Sequence, residues 1–146
     1  FIEPYKEQKL ILHQKMDPNI GIIKLYPGIS LHVMRSVFQT PNIRAVIMET
    51  YGSGNAPSDP QFLNLIKEAI ENGIIFLNVT QCKGGGTVEI GKYGASVQLG
   101  KIGVLSGNDI TTEAAVAKLM YLLGQGLSNE EVKHYMGVSL RGEITV

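Results

Sequence analysis

The stretch Arg44-Ala-Val-Ile-Met-Glu-Thr-Tyr-Gly-Ser-Gly-Asn-Ala-Pro57 decides how the chain folds. Ala45 to Met48 is an unbroken apolar run, as a strand covered on both faces requires. Glu49 and Thr50 end that run, and Gly52, Ser53, Gly54, Asn55 and Ala56 follow before Pro57 closes the loop. Two glycines let the backbone turn sharply and bring its amide groups close to a small ligand. A helical pattern starts after Pro57. Strand, glycine loop and helix make the βα unit beyond whose strand an open α/β sheet places its ligands.

Working outward, the same alternation repeats. Downstream, Ser58 or Asp59 caps a helix, Pro60 suits its first position, and Phe62, Leu63, Leu65, Ile66, Ala69 and Ile70 form its apolar face up to Asn72-Gly73. Ile74 to Val79 reads as a second buried strand, with Thr80-Gln-Cys-Lys-Gly-Gly-Gly-Thr87 as its loop. A short helix is expected over Tyr93 to Leu99 and a short strand over Ile102 to Leu105. Thr111 or Asp109 caps a helix running to Leu123, and Ser128 with Glu131 has the capping-box spacing that opens a last one. Upstream, Ile20 to Tyr26 reads as a strand and Ser30 to Gln39 as a helix, while Leu10 to His13 reads as a short edge strand. Residues 1–9 are polar and aperiodic, a linker arriving from an upstream domain, and residues 10–146 form one domain. The order implies an α/β fold: an open, mainly parallel sheet of about four strands flanked by helices, three layers in a Rossmann-like arrangement.

Composition limits the partners. Hydrophobic residues make up 44% and charged residues 18%, so a packed core is expected. Formal net charge is zero, which gives non-specific binding to nucleic acid or a membrane surface no electrostatic support. No apolar run approaches the roughly 20 residues of a membrane span, and no signal-peptide pattern opens the chain. One cysteine excludes an internal disulfide and fits a reducing, cytoplasmic compartment. Phe1 in place of methionine reads as the start of a fragment of a longer chain.

No single stretch carries a complete catalytic or metal motif. The loop 52–57 comes close to a dinucleotide fingerprint and fails where Pro57 stands in for its last glycine. Lys83-Gly-Gly-Gly-Thr87 reverses the order of a phosphate loop, and Gly103-Val-Leu-Ser-Gly107 places its serine one position off a nucleophile elbow. His13, His32 and His134 fall in separate elements, and neither His nor Cys is clustered for a metal. Cys82 stands in a loop at the carboxyl end of a strand, where its plain reading is a small buried side chain.

Taken together, Tyr26-Pro-Gly-Ile-Ser30, Glu49-Thr-Tyr-Gly-Ser-Gly-Asn-Ala-Pro57, Asn78-Val-Thr-Gln-Cys82 and Leu140-Arg-Gly-Glu143 resemble, in order and spacing, the carboxyl-terminal domain of type I (cytosolic) L-asparaginases. The resemblance runs from about Leu10 to the end. It implies hydrolysis of asparagine to aspartate and ammonia by a threonine nucleophile, with no metal or organic cofactor. The family's catalytic threonines and their Asp and Lys partners lie in a larger amino-terminal domain. Their motifs are absent here, so no catalytic residue is expected in this chain, and it should be inactive alone.

The resemblance also implies a homo-oligomer whose active sites lie near subunit boundaries. Asn55 matches the residue turned toward a neighbouring subunit's amino-acid substrate, with Ser53 and Gly54 shaping its loop. An amide donates to a carboxylate and accepts from an ammonium, which suits such a ligand. Bacterial members carry an effector site for asparagine at the carboxyl end of this sheet. Cys82 matches one of its residues and Thr80 and Glu49 fall in the same region, but Glu49 replaces an arginine that grips the effector's carboxylate. Two further readings share these features: a subunit domain of a tRNA-dependent amidotransferase, and a stand-alone binding or dimerisation module. Some larger animal proteins resembling this chain are linked to lysophospholipase activity.

Overall fold

The computed structural model describes residues 11–82, 86–88 and 94–145, with the backbone only of Ala95. Four parallel strands form one sheet: β1 (Ile20–Lys24), β2 (Ala45–Thr50), β3 (Ile75–Thr80) and β4 (Leu105–Ser106), in the order β1-β2-β3-β4. Between them run α1 (Leu31–Phe38), α2 (Pro60–Glu71) and α3 (Gly94–Lys101). The chain ends in α4 (Thr112–Gly124) and α5 (Asn129–Met136). The expected three-layer parallel α/β architecture is the one observed.

The two central strands explain why the sheet is buried on both sides. Side chains alternate across a strand, so an unbroken apolar run supplies two hydrophobic faces. Val46, Met48 and Phe76 pack on one side with Met34, Phe38, Phe62, Ile66 and Leu99 of α1–α3. Ala45, Ile47, Ile75, Leu77 and Val79 pack on the other with Ala115, Leu119, Leu122, Val132 and Met136 of α4 and α5. The rings of Phe38 and Phe76 meet edge to face at 4.9 Å. Successive same-handed crossovers keep α1–α3 on one face, and only beyond β4 does the chain change sides. That change brings the start of α4 back over the carboxyl end of β2.

Caps fall where local chemistry puts them. Ser30, Asp59 and Thr111 accept from backbone N–H groups of α1, α2 and α4, and Pro60 opens α2. Ser128 and Glu131 complete the capping box of α5.

Two expected strands are corrected. Residues 11–13 are irregular; Leu10 lies outside the described residues. Ile11 and Leu12 are exposed, and the His13 ring packs edge-on against Tyr121 of α4, so this segment follows a helix and not a sheet edge. The last strand is Leu105–Ser106, not 102–105. The N–H groups of Ile102, Gly103 and Val104 bond back to Gln98, Gly100 and Leu99, and Gly103 takes φ +100°, so these residues unwind α3 before the strand can start. Accordingly α3 runs to Lys101, past the expected Leu99, while Tyr93 and the Lys83–Gly85 part of the glycine loop lie outside the described residues. No helix among the described residues is long and apolar enough to cross a membrane.

Candidate functional site

Beyond β2 the chain closes a tight turn. Tyr51 N–H donates to the Asn55 carbonyl at 2.9 Å, and the N–H groups of Asn55 and Gly54 donate to the Tyr51 carbonyl at 2.8 and 3.1 Å. Gly52 and Gly54 hold φ of +50° and +102°, a region other residues enter at a cost. Gly54 is buried, and a Cβ on it would stand 2.7 Å from Val88 Cγ1. Ser53 is half-buried. Asn55 is exposed, and its side-chain amide makes no hydrogen bond among the described residues.

The turn hangs from β3 at two points. Buried Asn78 donates through Nδ2 to the Gly54 carbonyl at 3.3 Å, while its Oδ1 accepts from the buried hydroxyl of Thr50 at 2.5 Å. Thr80 Oγ1 donates to the Gly52 carbonyl at 2.6 Å and accepts from Cys82 N–H at 3.0 Å. Every polar atom in this chain of contacts has a partner, which is how a glycine turn becomes rigid.

At the carboxyl ends of β1, β2 and β3 a cleft of about 340 Å³ opens against the start of α4. Glu49, Thr80 and Cys82 line it together, with Lys24, Asp109 and Thr112. Glu49 Oε1 accepts from Thr112 Oγ1 at 2.7 Å, at the first residue of α4. Its Oε2 lies 3.6 Å from Lys24 Nζ, whose side chain is 61% exposed, a loose surface pairing of small energy. Beneath, Gln81 Nε2 donates to the carbonyls of Leu25 and Glu49 at 2.6 and 2.8 Å, fixing the floor. Asp109 accepts from the Thr145 hydroxyl and backbone N–H, which hold its carboxyl below the ordinary range. With Glu113 at the rim, three carboxylates face one ammonium among the described lining residues.

A larger cleft of about 470 Å³ lies along α4, lined by His13, Tyr121, Leu140 and an ion pair. Lys118 Nζ meets Glu143 Oε1 at 2.7 Å and donates to the carbonyls of Met136 and Val138 at 3.3 and 2.6 Å. Burial raises the pKa of Glu143, but the N–H of Leu140, the Lys118 ammonium, and the N–H groups of Glu143 itself and Arg141 outweigh it and bring it from 4.5 to about 2. The Leu140-Arg-Gly-Glu143 stretch thus ties the chain's end to α4 and α5.

The sequence-derived residues therefore fall into two neighbouring groups: Ser53, Gly54 and Asn55 on the turn, Glu49, Thr80 and Cys82 in the cleft. His13, His32 and His134 stay apart, in the entering segment, α1 and α5. Cys82 is exposed, against the buried reading. Sequence reasoning missed Thr50, Asn78, Lys24, Gln81 and Thr112. Asn78 carried a signal, a polar side chain inside an apolar strand run; Thr112 carried none.

Residues 19–136 match the family model described as the glutaminase/asparaginase C-terminal domain. The chain is 42% identical over 142 residues to L-asparaginase 1 of Escherichia coli K12, and 41% identical over 138 residues to a 60 kDa lysophospholipase of mouse. These alignments cover 97% and 94% of this chain but only 41% and 24% of the relatives' own length. The crystal structure of L-asparaginase I from Vibrio cholerae superposes with a TM-score of 0.85 at 47% identity, over 92% of this chain and 40% of that one. By sequence and fold together, this chain belongs to the glutaminase/asparaginase C-terminal domain family.

Proposed function

We propose that the chain works as the carboxyl-terminal domain of an L-asparaginase, which releases ammonia from asparagine and leaves aspartate. In this reading residues 1–9 lead in from an amino-terminal domain that holds the catalytic threonines, and the protein is a cytoplasmic homo-oligomer. Asn55 reaches a neighbouring subunit's substrate. The observation that carries the reading is the turn: a free amide, exposed, on a backbone pinned at Gly52 and Gly54. Such preorganisation is what orienting an amino-acid substrate requires. The higher identity to bacterial asparaginases than to an amidotransferase subunit favours this reading over the amidotransferase one.

The cleft is a degenerate effector site in the same reading. A ligand carboxylate brought within about 4 Å of Glu49 meets a repulsion of roughly 4 kcal/mol at an effective dielectric near 20, where an arginine would attract it by as much. Effector activation by the arginine-dependent mode is therefore lost.

Ammonia release from asparagine tests the proposal, measured on the chain alone and joined to an asparaginase amino-terminal domain. Activity is expected only in the joined protein. Asn55→Ala should lower its kcat/KM about ten- to hundredfold, the loss of a substrate hydrogen bond worth about 1–3 kcal/mol. Turnover by the chain alone would refute the division of labour, and an Asn55→Ala variant with full activity would refute the role of that amide.

A further inference from the structure

Asn72-Gly73 is the only Asn-Gly pair in the sequence, and both residues are exposed. Glycine has no Cβ, so its amide nitrogen is the least hindered one that a preceding asparagine side chain can meet. Here the pair closes α2. Asn72 is the C-cap at φ −80° and ψ 7°, and Gly73 takes φ +91°. Gly73 N–H donates to the Ile70 carbonyl at 2.9 Å and Ile74 N–H to the Ala69 carbonyl at 3.1 Å, the two bonds of a Schellman motif. The Gly73 carbonyl in turn accepts from Asn129 Nδ2 at 2.8 Å, at the first residue of α5. Ile75 N–H then starts β3 against the Arg44 carbonyl at 3.0 Å. The end of α2, the start of β3 and the start of α5 thus meet at one short turn.

This arrangement offers the pair to water and at the same time blocks its reaction. Ring closure needs the Gly73 nitrogen to eclipse Asn72 Cβ, whereas ψ near zero makes it eclipse the nitrogen of Asn72. Turning ψ takes the Gly73 and Ile74 N–H groups off their carbonyls and swings the Gly73 carbonyl away from Asn129. The pair is therefore unreactive until the last turn of α2 opens, and Asn129 resists that opening from outside α2.

We propose that Asn72-Gly73 is a self-modification site, a deamidation point gated by the docking of α5 through Asn129. Once the turn is open, the Gly73 nitrogen bonds to Asn72 Cγ and the carboxamide C–N bond breaks. The NH2 group departs as ammonia, taking the proton from the Gly73 nitrogen. Water then adds to either carbonyl of the succinimide, and the ring opens to aspartate or isoaspartate. Isoaspartate lengthens the backbone where the Schellman bonds fix its length. Either product adds a negative charge to the carboxyl end of a helix that already carries Glu68 and Glu71 there, against the helix dipole. The α5 contact is weakened in turn, so the change reinforces itself. Each chain releases one ammonia at this site and does not turn over, which keeps the event distinct from asparagine hydrolysis.

The chain is held in warm, mildly alkaline buffer, and isoaspartate at each asparagine is followed by peptide mapping beside amide hydrogen exchange. In urea, Asn72 should convert ahead of every other asparagine. In the folded wild type its conversion should be slower by about tenfold or more. Asn129→Ala should speed the folded rate about fivefold, the worth of one hydrogen bond to the opening, with Gly73 and Ile74 amide exchange faster by the same factor. Asn129→Asp, which cannot donate to the Gly73 carbonyl, gives the same reading if the alanine variant does not fold. Thr111→Ala, which removes the α4 cap at comparable cost in stability, should leave the rate unchanged. Conversion led by another asparagine in urea overturns the site. A folded rate equal to the unfolded one, one that both Asn129 variants leave alone, or one that Thr111→Ala raises as much, overturns the gate.

Discussion

Replacing Glu143 by glutamine removes the charge and leaves the shape. Lys118 then keeps a buried ammonium, 4% exposed in the native fold, with no counter-charge: the Met136 and Val138 carbonyls still accept from it, but the new amide must turn its NH2 toward either that ammonium or the Leu140 and Arg141 N–H groups. Breaking a buried pair by removing one partner costs about 3–5 kcal/mol, and the two remaining carbonyls reduce this to about 2–3 kcal/mol. The carboxylate gives an independent figure. A pKa brought from 4.5 to about 2 is worth about 3 kcal/mol at about 1.4 kcal/mol per unit. Water reaches one side of the group, and screening leaves about 1–2 kcal/mol of that.

The sign fixes where the effect is visible. The folded pKa lies below the unfolded one, so the stabilisation is complete above pH 4.5 and is lost as pH falls toward 2. Urea unfolding at pH 7 should place Glu143→Gln about 2–3 kcal/mol below the wild type, a fall in Tm of about 5–10 °C for a domain of this size. The gap should narrow between pH 5 and pH 2. Lys118→Met combined with Glu143→Gln should recover much of the loss, because no charge is then left unpaired. A variant within about 0.5 kcal/mol of the wild type at pH 7, or a gap that stays constant down to pH 2, refutes the reasoning.

Gly54→Ala should destabilise by about 2 kcal/mol or more and shift the Asn55 amide resonance, since its Cβ would lie 2.7 Å from Val88 Cγ1 at φ +102°; chemical denaturation and amide shifts check it. Phe62→Ala, at a side chain 2% exposed between α2 and the sheet, should cost about 3–5 kcal/mol in the same unfolding assay.

What the sequence makes legible is what short-range physics determines. The apolar runs of β2 and β3 permit only a strand covered twice, and Ser128 with Glu131 marks the start of α5 from a spacing of three residues. The errors lie where a local pattern loses to a distant contact. Ile11 and Leu12 look like strand residues, but the packing of His13 on Tyr121 sends them along a helix. The apolar run from Ile102 is consumed by the α3 exit because Gly103 adopts a left-handed turn. The turn residues were visible because they are consecutive. The Glu49–Thr112 bond, between residues 63 apart, was not.

That bond decides what the cleft can hold. A helix N-terminus, with its unpaired N–H groups and positive dipole end, ordinarily offers a place to an anion. Here α4 begins against the end of β2, and the anion it receives is the chain's own: Glu49 takes the Thr112 hydroxyl at 2.7 Å and is 18% exposed. A ligand carboxylate would have to displace that group from the Thr112 hydroxyl, or bind beside it against like charge. Lys24 does not reverse the balance, since its ammonium is 3.6 Å away on a largely exposed side chain and Asp109 and Glu113 add negative charge to the same lining. Among the described lining residues the electrostatics therefore favour an ammonium end over a carboxylate end. One side chain at the end of a central strand, held against the start of a helix that the chain reaches only after two more strands, thus does most to set the charge of the cleft.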